Sequence, residues 1–165
     1  MGKASVPTDG DEGRLHRWFA VELNNGTWDL IDGGLSERSP LAEQERALYG
    51  AYASTYHWLQ VGTVANHGRG EYVIATVALT IGRLDLAAAH AARCSELISS
   101  HPDEFADWDR AFLGELLARV AARSGAADAE SLREAAGRLA AEVAGEEDRR
   151  ICLERLEAGP WEALA

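Results

Sequence analysis

The chain has 165 residues, 47% of them hydrophobic, and sets 27 acidic side chains against 16 lysines and arginines for a formal net charge of −11. That length suits one domain with a substantial core, or one short repeat array. The charge argues against nucleic acid and against an anionic membrane, both of which are held by lysine and arginine, and it suits a partner with a basic segment.

Two cysteines, Cys94 and Cys152, form no CxxC pair. With the polar opening "MGKASVPTDGDEGR", which has no apolar leader, they lead to the expectation of a reducing cytoplasm. No apolar run approaches the roughly eighteen residues that span a bilayer.

In chain order, residues 1–12 read as a polar, disordered tail and 13–165 as a single helical domain. "LHRWFAVELNNGTWDLID" fits two patterns. A hairpin would turn at Asn25-Gly26. A helix would stack Leu15, Phe19, Leu23, Thr27 and Ile31 on one stripe. The helix is preferred, because an isolated hairpin is marginal in water and Gly26 costs a helix only about 1 kcal/mol. "GGLSERSP" is a break, with Ser39 as N-cap and Pro40 at the first helical position of a long helix to about Val61. That helix carries Leu48, Tyr52, Tyr56 and Leu59 at helical spacing.

"VGT" interrupts the chain, and Thr63 caps a helix running to Ile81. Gly82 ends it before "RLDLAAAHAARCSELISS". "HPDEFADW" turns into "DRAFLGELLARVAARSG", which stops at Gly125. "DAESLREAAGRLAAEVA" follows, closed by Gly145. "EEDRRICLERLEA" makes a last helix whose Arg149, Arg150, Glu154 and Arg155 suit a polar cap. The expectation is all-α: about seven helices, with antiparallel pairs near 14–61, 64–100 and 105–144 and a capping helix at 146–157.

The stretch "YHWLQVGTVANHGRGEY" (56–72) concentrates polar side chains. His67 and Glu71 are spaced i, i+4 and share a helix face, so they are candidate metal ligands, with His57 as a third and Glu115 as a fourth. Such a set suits a divalent transition metal: zinc, manganese or iron. The competing account makes the stretch a bend between helices. His57 and Asn66 would then satisfy helix ends, Trp58 would anchor the core, and Arg69 and Glu71 would form surface pairs. No HExxH, di-iron ExxH, CxxC, GxSxG or P-loop pattern occurs, so the bend is preferred.

Other groups read in the same two ways. His90 and Cys94 share a face, but Cys94 suits an inert packing position. Cys152 lies near Arg149 and Arg150, which would lower its pKa if it were exposed. "DEFADWD" (103–109) supplies the negative charge that a helix start favours. His16 and His101 read as surface residues.

"YVIATVALTIGRLDLAAAHAARCSEL" lies beside "FLGELLARVAARSGAADAESLREAAGRL" as helix, glycine turn and Ala-rich helix. The first copy resembles the tetratricopeptide repeat. Gly82 falls at the turn glycine, Leu84 at the aromatic after it, and Ala87 and Cys94 at the small positions, with Pro102 just past the closing proline. Ile74-Ala75 replace the usual Leu-Gly. The second copy keeps Leu113-Gly114 but lacks the proline, and 14–61 matches only in helix order. The chain also resembles small uncharacterised bacterial proteins with a "YHW…GT…N…RGE" segment, a likeness that carries no activity.

The tetratricopeptide resemblance implies a concave groove lined by the first helix of each pair. It places Arg69, Tyr72, Thr76, Phe112, Glu115 and Arg119 there, with the arginines as anchors for carboxylates. The functional expectation is therefore a protein- or peptide-binding module rather than an enzyme, with no cofactor. The alternative is a small metal-binding protein or metal-dependent enzyme using His57, His67 and Glu71. A weaker reading is a homodimer completed by exposed residues such as Trp161.

Overall fold

The computed structural model describes residues 9–159 and 161. Among them are seven α-helices, one short 3-10 turn at Pro102–Glu104 and no strand. The helices are α1 (Asp9–Asp32), α2 (Leu41–Val61), α3 (Val64–Thr80), α4 (Leu84–Ser100), α5 (Asp107–Arg123), α6 (Ala129–Glu142) and α7 (Glu146–Ala158). The all-α expectation holds. Among the described residues no helix is long and apolar enough to cross a membrane.

Residues 15–31 are helical, and α1 begins at Asp9, inside the stretch read as a tail; residues 1–8 lie outside the described part. Twenty-four residues of amphipathic helix packed along α2 outweigh the cost of Gly26, whose Cβ position faces open space. At the start of α2, Pro40 itself occupies the N-cap, with no side-chain cap. Ser39 instead accepts a hydrogen bond from the Ser36 amide, which holds the preceding loop. Thr63 does cap α3: its hydroxyl accepts from the Asn66 amide, and the Asn66 side chain accepts from the Thr63 amide. That reciprocal pair satisfies two donors that a bare helix start would leave orphaned.

The closest packing follows the pairs α1–α2, α3–α4 and α5–α6. The first helix of each pair ends in the same way. Gly34, Gly82 and Gly125 have φ of 94°, 75° and 70°. The residue after each glycine bonds back five positions, as Leu35 to Leu30, Arg83 to Ala78 and Ala126 to Ala121. This is the Schellman ending, which needs a left-handed residue and so selects glycine. The odd-numbered helices then touch in succession, α1 with α3, α3 with α5 and α5 with α7, and form one side of the molecule.

Small residues permit the close approach. Ala75, Ala78, Ala87 and Ala91 are fully buried between α3 and α4. Gly70 lets α3 approach α2 so tightly that an added Cβ would lie 2.5 Å from the Thr55 hydroxyl. Ile74, Val77 and Leu116 fill the space between pairs, and truncating one such side chain to alanine costs about 2–5 kcal/mol.

On α2 the buried positions are Ala47, Leu48, Ala51, Ser54 and Thr55. Tyr52, Tyr56 and Leu59 face outward, so of the four residues at helical spacing only Leu48 enters the core. Trp58 is half-buried under the Arg17 guanidinium rather than a core anchor.

Candidate functional site

A cavity of about 400 Å³ opens on the side formed by the odd-numbered helices. Its floor is Thr76, Leu79 and Thr80 of α3 with Glu115, Leu116, Arg119 and Arg123 of α5. The loop Leu35–Arg38 forms one wall and Arg155 of α7 another. Glu115, Arg119 and Arg123 recur every four residues, so they form one polar stripe about 12 Å long down α5. The loop is held in place because the Gln44 amide group donates to the carbonyls of Glu37 and Ser39.

The inner end of this cavity buries charge. Glu115 is 3% exposed, and its carboxylate faces the Arg119 guanidinium, with Arg155 Nε 3.8 Å from its other oxygen. Arg119 also donates to the Arg155 carbonyl at 2.9 Å, which ties α7 to α5. Arg155 in turn lies over the Trp28 ring at 4.9 Å. Burial pushes the Glu115 carboxyl above its ordinary range against the pull of Arg119 and Arg155, and burial also pulls the Arg119 guanidinium down. Glu115 Oε1 and Arg119 Nε are buried against each other as an ion pair, and the Tyr72 hydroxyl is buried beside Arg155, whose Nε makes only the longer contact to Glu115. The cluster is thus held mainly by pairing within itself, as buried charges usually are.

The six groove residues expected from the sequence separate into two groups. Thr76, Glu115 and Arg119 line the cavity. Arg69 makes a bidentate pair with Asp109 at 2.9 Å for both bonds and lies 4.4 Å over the Trp108 ring. Asp109 is 6% exposed and also accepts from the Ala106 amide, so this pair closes the start of α5 rather than lying on the surface. Tyr72 is a core residue between Trp28 and Phe112, and burial raises its pKa. Phe112 packs on Trp108.

The three candidate metal ligands do not meet. His57 Nδ1 lies 2.8 Å from His16 Nδ1 on α1, with its ring stacked on Phe19. His16 is therefore a half-buried partner and not a surface residue. His67 and Glu71 are joined at 3.1 Å, but Glu71 is buried, and its second oxygen is taken by His90 of α4 at 2.6 Å. His90 passes the chain on to the Tyr52 hydroxyl at 2.8 Å. Glu115, the fourth candidate, belongs to the arginine cluster. Among the described residues no group of three or more His, Cys, Asp or Glu is placed to hold a metal ion.

Both thiols are buried. Desolvation pushes Cys94 up to about 12 and Cys152 up to about 11, so the exposure that a lowered Cys152 pKa would require is not met. Arg149 instead donates to the Val143 carbonyl, and Arg150 pairs with Glu147 and Glu154. Trp161 is half-buried, with its indole N–H donating to the Leu156 carbonyl and Arg133 stacked 4.6 Å from its ring.

Sequence reasoning missed Arg38, Thr80, Arg123 and Arg155 as cavity residues, and His90 as the partner of Glu71 with Tyr52 beyond it. The four-residue recurrence Glu115, Arg119, Arg123 was a usable signal for one of them. Arg155 gave none, because the turn that swings α7 across α5 decides where it points. No family model, curated protein or solved structure matches this chain.

Proposed function

We propose that the chain is a binding module of tetratricopeptide-like build, whose odd-helix side takes an acidic segment of a protein or peptide. The observation that carries this reading is that Arg38, Arg119, Arg123 and Arg155 outnumber Glu37 and Glu115 around one cavity in a chain of net charge −11. Such a local reversal of sign attracts an anionic group that the rest of the surface repels. The repeated glycine ending of α1, α3 and α5 supports the repeat character, and the successive contacts of the odd-numbered helices supply a continuous face. Guanidinium forks at the cavity suit carboxylates, and the apolar wall of Leu35, Leu79 and Leu116 suits the stem of an acidic side chain. The mechanism is recognition without bond chemistry.

A peptide array on the full chain tests it. Acidic peptides should bind more tightly than their amide-substituted counterparts. Arg38→Glu together with Arg123→Glu should abolish that preference, while Arg150→Glu on the outer side of α7 should not. Equal binding by all three proteins contradicts the reading.

A further inference from the structure

The inner end of the cavity has a chemistry that an inserted acidic side chain does not complete. Arg155 and Arg119 offer donors there, and the Glu115 carboxylate, paired with Arg119 through Oε1, reaches Arg155 through Oε2 only at 3.8 Å, which leaves that second oxygen room to accept. The Thr76 hydroxyl, 3% exposed, spends its hydrogen on the Tyr72 carbonyl at 2.8 Å, and Thr80 spends its own on the Thr76 carbonyl at 2.8 Å. Both therefore present only lone pairs to the cavity. A site with two cationic donors, one carboxylate and two hydroxyl acceptors calls for a ligand that is anionic and carries a donor beside its charge.

We infer that the cavity bounded by Thr76, Thr80, Glu115, Arg119 and Arg155 binds a small organic acid bearing a hydroxyl or ammonium group next to its carboxylate. The carboxylate meets Arg155 and Arg119, and the adjacent donor meets Glu115 and Thr76. An α-hydroxy or α-amino acid sets these two groups on neighbouring carbons, which matches a Glu115 carboxylate lying beside both guanidinium groups. A volume of about 400 Å³ is at the small end of ligand pockets. This ligand is distinct from the acidic segment proposed above, and its binding stands or falls separately.

Titration calorimetry of the full chain with L-malate, L-glutamate, succinate and inorganic phosphate tests the inference. At least one of L-malate and L-glutamate should bind at one per chain, with malate reporting a hydroxyl ligand and glutamate an ammonium ligand. Succinate, which has the acid groups without the donor, should bind about tenfold more weakly or less. Arg155→Gln should weaken the binding ligand about tenfold. Thr76→Val, which keeps the shape and removes the hydroxyl together with its bond to the Tyr72 carbonyl, should weaken the binding ligand and leave succinate unchanged. No binding by either acid overturns the inference, as does equal binding of succinate and phosphate, or wild-type affinity in both folded variants. Malate or glutamate binding in a chain that ignores acidic peptides would sink the peptide reading alone, and the reverse pattern would sink only this one.

Discussion

Helices α3 and α5 carry two arginine clusters, and they are finished to different degrees. Near the start of α5, Arg69 and Asp109 share two parallel bonds, Asp109 also caps the helix, and Trp108 covers the guanidinium. One to two turns further along α5, Glu115 pairs with Arg119 through one oxygen and lies 3.8 Å from Arg155 Nε through the other, beyond hydrogen-bond reach. The first cluster closes upon itself and does structural work. The second borders a cavity and holds one of its arginines more loosely. The comparison separates burial of charge from its use: a fully bonded pair fixes helices, whereas a loosely bonded one beside a cavity is the place of the proposed ligand.

The sharpest way to break this contrast is to remove one acid from the closed cluster. Asp109→Ala strips the helix start of its acceptor and leaves the partly exposed Arg69 without its counter-ion, so a loss of about 2 kcal/mol is expected in urea denaturation. Gly70→Ala comes next. Its new Cβ would press on Thr55, and overpacking of about 1–3 kcal/mol should appear in the same assay. Arg155→Met tests the open cluster. Replacing an imperfectly bonded, largely buried cation by an apolar side chain should change stability by less than about 1 kcal/mol, while removing a ligand contact. A destabilisation as large as that of Asp109→Ala would erase the distinction between the clusters.

The smallest effect is a pH dependence outside both clusters. Burial and the neighbouring His16 lower the pKa of His57, so the folded chain favours the neutral ring. A folded-state pKa below the unfolded value means that this contribution is present above about pH 6.5 and is lost as the pH falls through the folded value. Thermal melts of the wild type should therefore decline on acidification more than those of His57→Gln.

The fold was legible where local chemistry decides it. Gly82 and Gly125 announce helix ends because only glycine meets the left-handed turn at no cost, and Thr63 with Asn66 announces a start. Gly34 makes the same ending but was hidden inside "GGLSERSP", where a general loop explains the composition equally well. The site was half legible. Glu115 and Arg119 share a face by spacing alone, whereas Arg38 and Arg155 arrive from a loop and from the last helix through tertiary packing. The polar run around residues 57–71 drew attention for its side chains, and the structure distributes them. His57 goes to α1, Arg69 to α5, and Glu71 to His67 and His90. Neighbours in sequence on a helix point to different partners every 100°, so their density says little about whether they meet.

The most direct measurement is the NMR signal of the arginine Nε–H groups during titration of the full chain with L-malate, L-glutamate and an acidic peptide. Shifts at Arg119 and Arg155 with one of the acids, and at the cavity arginines with the peptide, are expected while the Arg69 signal stays fixed by Asp109. Shifts confined to outer arginines such as Arg150, or an unchanged spectrum, would contradict the account of the open cluster.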